Sequence, residues 1–96
     1  MEALWDLVAS IPKGKCISYG ALGRALPNPA SGYFVGRWMA GCPAHLPWHR
    51  VVAKDGRLPV HKRDPRMADE QMRRLKDEGV AFRGDAVDMD ACGWEP

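Results

Sequence analysis

Acidic residues are absent between Asp6 and Asp55, while Lys13, Lys15, Arg24, Arg37, Arg50 and Lys54 are spread through that stretch. Residues 1–63 carry nine Lys/Arg against three Asp/Glu, a balance of +6, and residues 64–96 carry five against nine, a balance of −4. The net charge of +2 hides this separation. Such an asymmetry fits one face that meets a polyanion, with the acidic end turned away; an unevenly charged but merely solvated surface is the alternative. Long hydrophobic runs are also lacking. The uncharged stretch 25–36 contains Pro27, Pro29 and Gly32 and cannot span a bilayer, and Glu2 and Asp6 stand where a signal peptide needs basic residues. Cysteine is sparse: Cys16, Cys42 and Cys92 form no C-x-x-C pair and cannot all pair within the chain, so reduced thiols of a cytoplasmic protein are expected. There is no linker, repeat or low-complexity tract. What remains is 96 residues, 46% hydrophobic and 27% charged, enough for one domain over 1–96. A domain this small buries only about 60–65% of its unfolded surface, which makes a deep enclosed cavity hard to build.

The apolar spacing predicts four helices. Leu4, Leu7, Val8 and Ile11 mark the first, stopped by Pro12-Lys13-Gly14. Ser18 is a candidate N-cap for a short second helix with Tyr19, Leu22 and Leu26 on its inner face. After the Pro27-Asn28-Pro29 break, a third helix from about Ser31 has Phe34, Val35, Trp38 and Met39 as its apolar side and Tyr33, Gly36, Arg37 and Ala40 opposite. Two short helices behind a longer one have the layout of a helix-turn-helix. Arg50-Val51-Val52-Ala53 reads as a strand, and the Asp55-Gly56 turn signal as a hairpin with a return strand from Leu58, the shape of a basic wing. Asp64, Pro65 and Gly79 bracket a fourth helix with Ala68, Met72 and Leu75 inward and Arg73, Arg74 and Lys76 in its last turns. A strand pair around Gly84-Asp85 follows. The expected class is small α+β, mostly helical: a winged helix-turn-helix, the usual architecture of a DNA-binding domain. His45 and His49 flank Pro47 and share no helical face, so no metal site or cofactor is expected.

Pro47-Trp48-His49-Arg50-Val51-Val52 is the most informative segment. With Ile11-Pro12-Lys13-Gly14-Lys15, Ser18-Tyr19-Gly20-Ala21-Leu22 and Asn28-Pro29, in order and at fitting intervals, it resembles the DNA-binding domain of the O6-alkylguanine-DNA alkyltransferases. That family has Pro-Cys-His-Arg-Val at this point, and its cysteine accepts the alkyl group. Here the nucleophile's place holds Trp48, and the chain closes on Trp94-Glu95-Pro96, features that resemble the alkyltransferase-like proteins, which also lack an N-terminal domain. His49 and Glu78 match the family's histidine and glutamate, so a relay is expected without its nucleophile. An indole N–H is a donor with no useful nucleophilicity, and no cysteine has a neighbouring histidine in the sequence to lower its pKa.

The resemblance therefore implies a reader rather than an enzyme. Its partner would be double-stranded DNA containing O6-alkylguanine, bound by a monomer that flips the base and signals it to nucleotide-excision-repair proteins. It would be cytoplasmic, or nucleoid-associated in a bacterium. Flipping costs a few kcal/mol of unstacking. The resemblance assigns the minor-groove helix to residues around Ser31–Ala40, where Ser31, Gly32 and Gly36 would allow close approach, and gives Tyr19 the role of crowding the phosphate. The arginine that fills the vacated stack in the family is replaced by Tyr33, with Arg37 one turn later on the same face. Either the ring or the guanidinium fills the gap, and the ring is the first choice because stacking alone is worth about 1–3 kcal/mol per base. Cys42 replaces the asparagine usual after this helix. Trp48 would form pocket wall, Arg50 would join the DNA contacts, and Arg63, with His61 as rival, would sense the flipped base. Two other classes remain open: an alkyltransferase with a displaced cysteine, and a sequence-specific winged-helix regulator. A glycine-bearing outer face poor in Asn and Gln suits the minor groove better than base-edge reading.

Overall fold

A computed structural model describes residues 1–58 and 65–96. The elements run α1 (Glu2–Ser10), β1 (Ile17–Ser18), α2 (Tyr19–Arg24), α3 (Gly32–Met39), a 3₁₀ turn (Trp48–Arg50), β2 (Val51–Val52), α4 (Pro65–Asp77), β3 (Phe82–Arg83), β4 (Ala86–Val87) and α5 (Met89–Cys92). The α+β class stands, with helix predominant, and α2 and α3 form the helix-turn-helix.

Local chemistry explains most boundaries. Ser18 Oγ accepts from Ala21 N at 3.2 Å and caps α2, a contact typically worth about 1 kcal/mol. Helix α4 ends in a Schellman arrangement: Val80 N donates to Leu75 O and Gly79 N to Lys76 O. Gly79 takes φ +80°, which a side chain would strain, and Leu75 and Val80 bury together in one cluster. The expected cap Asp64 lies outside the described residues. The pair β3–β4 is antiparallel, with Phe82 opposite Val87 and Arg83 opposite Ala86.

Three readings need correction. Strand β2 pairs with β1, in parallel, Ile17 opposite Val51 and Ser18 opposite Val52; a two-residue strand between a turn and a helix cap carries no periodicity to read. Arg50 belongs to the 3₁₀ turn rather than the strand. The Asp55-Gly56 turn forms, closed by Ala53 N to Arg57 O at 3.0 Å, but the return leg leans on the terminal hairpin, with Arg57 bridging Ala86 and Val87 N donating to Gly56 O. Gly56 has φ +84°, and a Cβ there would collide with Val87 O. Helix α5, not anticipated, is capped by Asp88, whose side chain accepts from Asp90 N and Ala91 N.

The small parallel sheet divides the interior. Successive strand residues point to opposite faces. Ile17 and Val51 enter a cluster with Leu4, Val8, Ile11, Leu22, Val35, Met39 and Trp48. Cys16 and Val52 enter a second cluster with Leu58, Leu75, Val80, Val87 and Cys92. Trp48 therefore sits where the sheet hands over from the helix-turn-helix to α4.

Candidate nucleic-acid interface

Helix α4 grips the 48–51 segment along one stripe. Gln71, buried on that helix, donates through Nε2 to His49 O and Val51 O, both at 3.1 Å. One and two turns later, Arg74 places its guanidinium 5.4 Å from the centroid of the Trp48 ring, and Glu78 meets His49 and Arg50. Positions 71, 74 and 78 share a helical face by their spacing. Gln71 was not anticipated as a site residue, although a polar side chain one turn before Leu75 on an apolar stripe signals a satisfied buried amide.

The Glu78 carboxylate receives Arg50 Nε at 3.0 Å, Arg50 Nη2 at 2.7 Å and His49 Nε2 at 2.9 Å. The Arg50 hydrogen bonds, above all, hold its pKa down to about 2 against the cost of burial. It is therefore ionised and accepts only, so His49 Nε2 carries the proton it donates. Burial pushes the His49 pKa below its ordinary value; the Glu78 hydrogen bond opposes this, and the charges of Arg50 and Arg74 add to the lowering. The imidazole is thus neutral at pH 7, and its Nδ1 is buried without a hydrogen-bond partner among the described residues. The side chain adjoining this imidazole is the Trp48 indole, edge-on to it at 6.1 Å between centroids.

Arg50, expected among the DNA contacts, is otherwise employed. Its Nη1 also donates to Ile11 O at 2.7 Å, so all three guanidinium nitrogens are engaged inside the protein, tying the end of α1 to α4. None of the three cysteines has the surroundings of an activated thiolate. Cys16 and Cys92 are buried, and burial, with Cys92 close by, pushes the Cys16 thiol up to about 12, the opposite of an activated thiolate. Cys42, partly buried after α3, places its sulfur 3.7 Å from Pro43 O. Among the described residues no group of three or more His, Cys, Asp or Glu side chains is placed to hold a metal ion.

The helix-turn-helix presents a contrasting face. Tyr33 is 67% exposed and Phe34 51%, although Phe34 was expected inside. Val35 and Met39 supply the buried stripe, and Phe34 stacks outside on Trp38, 6.0 Å between centroids and 26° between planes. Arg37 Nη1 donates to Tyr33 Oη at 3.1 Å and its guanidinium lies 5.8 Å from the ring centroid, so the two rivals for the wedge form one assembly. Ser31 and Gly36 are outward, and a Cβ on Gly36 would meet nothing within 4 Å. Gly32 is small for an internal reason: its added Cβ would lie 3.0 Å from Gly20 N, where α3 approaches α2. Tyr19, partly buried at the start of α2, packs on the first cluster. Arg63 and His61 lie outside the described residues. Among the described residues no helix is long and apolar enough to cross a membrane.

Residues 1–80 match the family model of the 6-O-methylguanine DNA methyltransferase, DNA binding domain. The chain belongs to this family. Within it, the chain is 30% identical over 96 residues to a DNA base-flipping protein of Escherichia coli, covering 97% of this chain and 72% of that one. It is 35% identical over 80 residues to alkyltransferase-like protein 1 of Schizosaccharomyces pombe, covering 80% and 72%. The crystal structure of S. pombe Atl1 in complex with damaged DNA containing O6-carboxymethylguanine superposes with a TM-score of 0.80 at 30% identity, over 99% of this chain and 94% of that one.

Proposed function

We propose that this chain is a non-enzymatic reader of alkylated DNA. It binds duplex DNA through α3 and the basic residues Lys13, Lys15, Arg24, Arg37 and Lys54, and rotates an O6-alkylguanine out of the stack. It holds the base against Trp48 without removing the alkyl group, and as a monomer marks the lesion for nucleotide-excision repair. The single observation that carries this reading is Trp48 seated beside His49 and Glu78, where dealkylation would need a thiolate. The helix-turn-helix favours recognition: an exposed Tyr33–Arg37 pair can fill the vacated stack, Gly36 and Ser31 leave room for the backbone to near the DNA, and Tyr19 stands at the start of α2. Arg63 or His61 is the proposed electronic sensor of the base, and Arg50 is assigned to the internal clamp.

The test uses paired duplexes that differ by one O6-methylguanine carrying a labelled methyl. Tighter binding to the lesion duplex with no label on the protein is the expected result, and affinity should fall with rising salt on a log–log slope proportional to phosphate contacts. Mass gain of one methyl on any cysteine would establish a displaced nucleophile instead. Preference for one unmodified sequence over another would establish a regulator. The variant Trp48→Cys places a thiol beside the His49 imidazole, but near-attack geometry requires reacting atoms within about 3–3.5 Å; at most weak methyl capture is expected.

A further inference from the structure

The Trp48 indole is held, not merely buried. Arg74 lies over the ring, and its Nε donates to Glu70 Oε1 at 2.9 Å. The imidazole of His49 meets the indole edge-on. Together with the surrounding core these contacts leave Trp48 8% exposed. Arg74 itself is partly open to solvent, its side chain 37% exposed, so it is a cover at the surface and not a core strut. Its neighbour Arg73 shares the Glu70 carboxylate but also reaches Asp77, on the outer face of α4. A planar guanidinium on an aromatic face attracts it and limits the rotations open to it, which an ammonium on a flexible stem does less well.

The geometry points to Arg74 as a positioning residue for lesion reading: tethered by Glu70, it fixes the Trp48 indole in the pose that receives a flipped base. This rests on Trp48 walling the base pocket, as proposed above. Ordering an aromatic side chain before binding lowers the cost of ordering it upon binding. The effect belongs to the lesion complex, because undamaged duplex is held by phosphate contacts that do not require the indole.

The experiment measures affinities of the full chain for duplexes with and without one O6-methylguanine, for wild type, Arg74→Lys, Arg74→Met, Glu70→Gln and Trp48→Ala. Arg74→Lys keeps the charge and loses the planar cover; it should leave affinity for undamaged duplex unchanged and lower the lesion preference roughly three- to ten-fold. Arg74→Met should lower the preference as much, and Glu70→Gln by less. In protein carrying 5-fluorotryptophan, the Trp48 resonance, assigned with Trp48→Phe, should shift or broaden in Arg74→Lys while the melting temperature holds. An unchanged preference and resonance in both Arg74 variants, with preference lost in Trp48→Ala, overturns the role of Arg74 alone. Preference retained in Trp48→Ala overturns the reading of the pocket and this proposal with it.

Discussion

The Trp48 side and the helix-turn-helix side of this molecule place charged side chains under opposite conditions. Around Trp48, one carboxylate, one guanidinium and one imidazole are enclosed and bonded to one another, with side chains of Arg50 and Glu78 only 16% and 12% exposed. On α3, the Tyr33–Arg37 pair stands in solvent. Charges taken out of water must be paired or the fold suffers; charges left in water contribute little to the fold and remain free for a partner. The lesson is that a buried charged cluster can serve the fold whatever chemistry adjoins it. His49, Arg50 and Glu78 fasten the end of α1, the 3₁₀ turn and the end of α4 together, so the fold itself holds them in place.

The comparison breaks if damage to the buried side is cheap. Glu78→Ala strips Arg50 of its main acceptor and should lower unfolding free energy by about 3–5 kcal/mol, measured by urea denaturation. A loss below about 1 kcal/mol would mean the clamp is ornamental.

Acid should attack the same side. The folded pKa of Glu78, about 2, lies below its ordinary 4.5, so its contribution, at most about 3 kcal/mol, is present above pH 4.5 and lost as pH falls towards 2. His49 has a folded pKa below 6.5, so protonation favours the unfolded chain and stability begins to decline below pH 6.5. The two act with the same sign. Stability measured from pH 7 to pH 3 should fall in two stages, and Glu78→Gln should flatten the lower one.

On the exposed side, mutations should change binding and spare the fold. Tyr33→Ala should weaken lesion affinity by about 1–3 kcal/mol with an unchanged melting temperature, and Arg37→Ala by less. The reverse order would make Arg37 the wedge. Because the two side chains touch, the double variant should lose less than the singles added together.

The smallest effect sharpens the contrast by its sign. Gly36→Ala adds a methyl where nothing lies within 4 Å, and should stabilise the helix by about 0.4–1 kcal/mol while weakening duplex binding. Gly23→Ala should do the opposite to stability, because its Cβ would collide with Ala30 O.

Much of this was legible in the chain. Helices α1, α2 and α4, the terminal hairpin, the Ser18 cap and the Gly79 stop follow from signals carried by residues a few positions apart, and physical chemistry at that range needs no knowledge of the rest of the fold. The pairing of His49 with Glu78 was legible only through resemblance, since 29 positions separate them. Phe34 was misplaced because a short helix offers several apolar stripes, and only the packing of α3 on α2 selects Val35 and Met39. Gln71 and Arg74 were passed over as one polar residue on an apolar stripe and one cation near a helix end.

By itself, then, the sequence determined the element types, the caps, the charge separation and the placing of an indole beside His49 and Arg50. These are local or covalent facts. Tertiary structure decided that Arg50 faces inward, that Tyr33 and Arg37 act as one group, that β2 pairs with β1, and that Arg74 covers Trp48. Each depends on which distant surface arrives opposite a side chain, and burial of apolar area sets that arrangement without a directional signal in the chain itself.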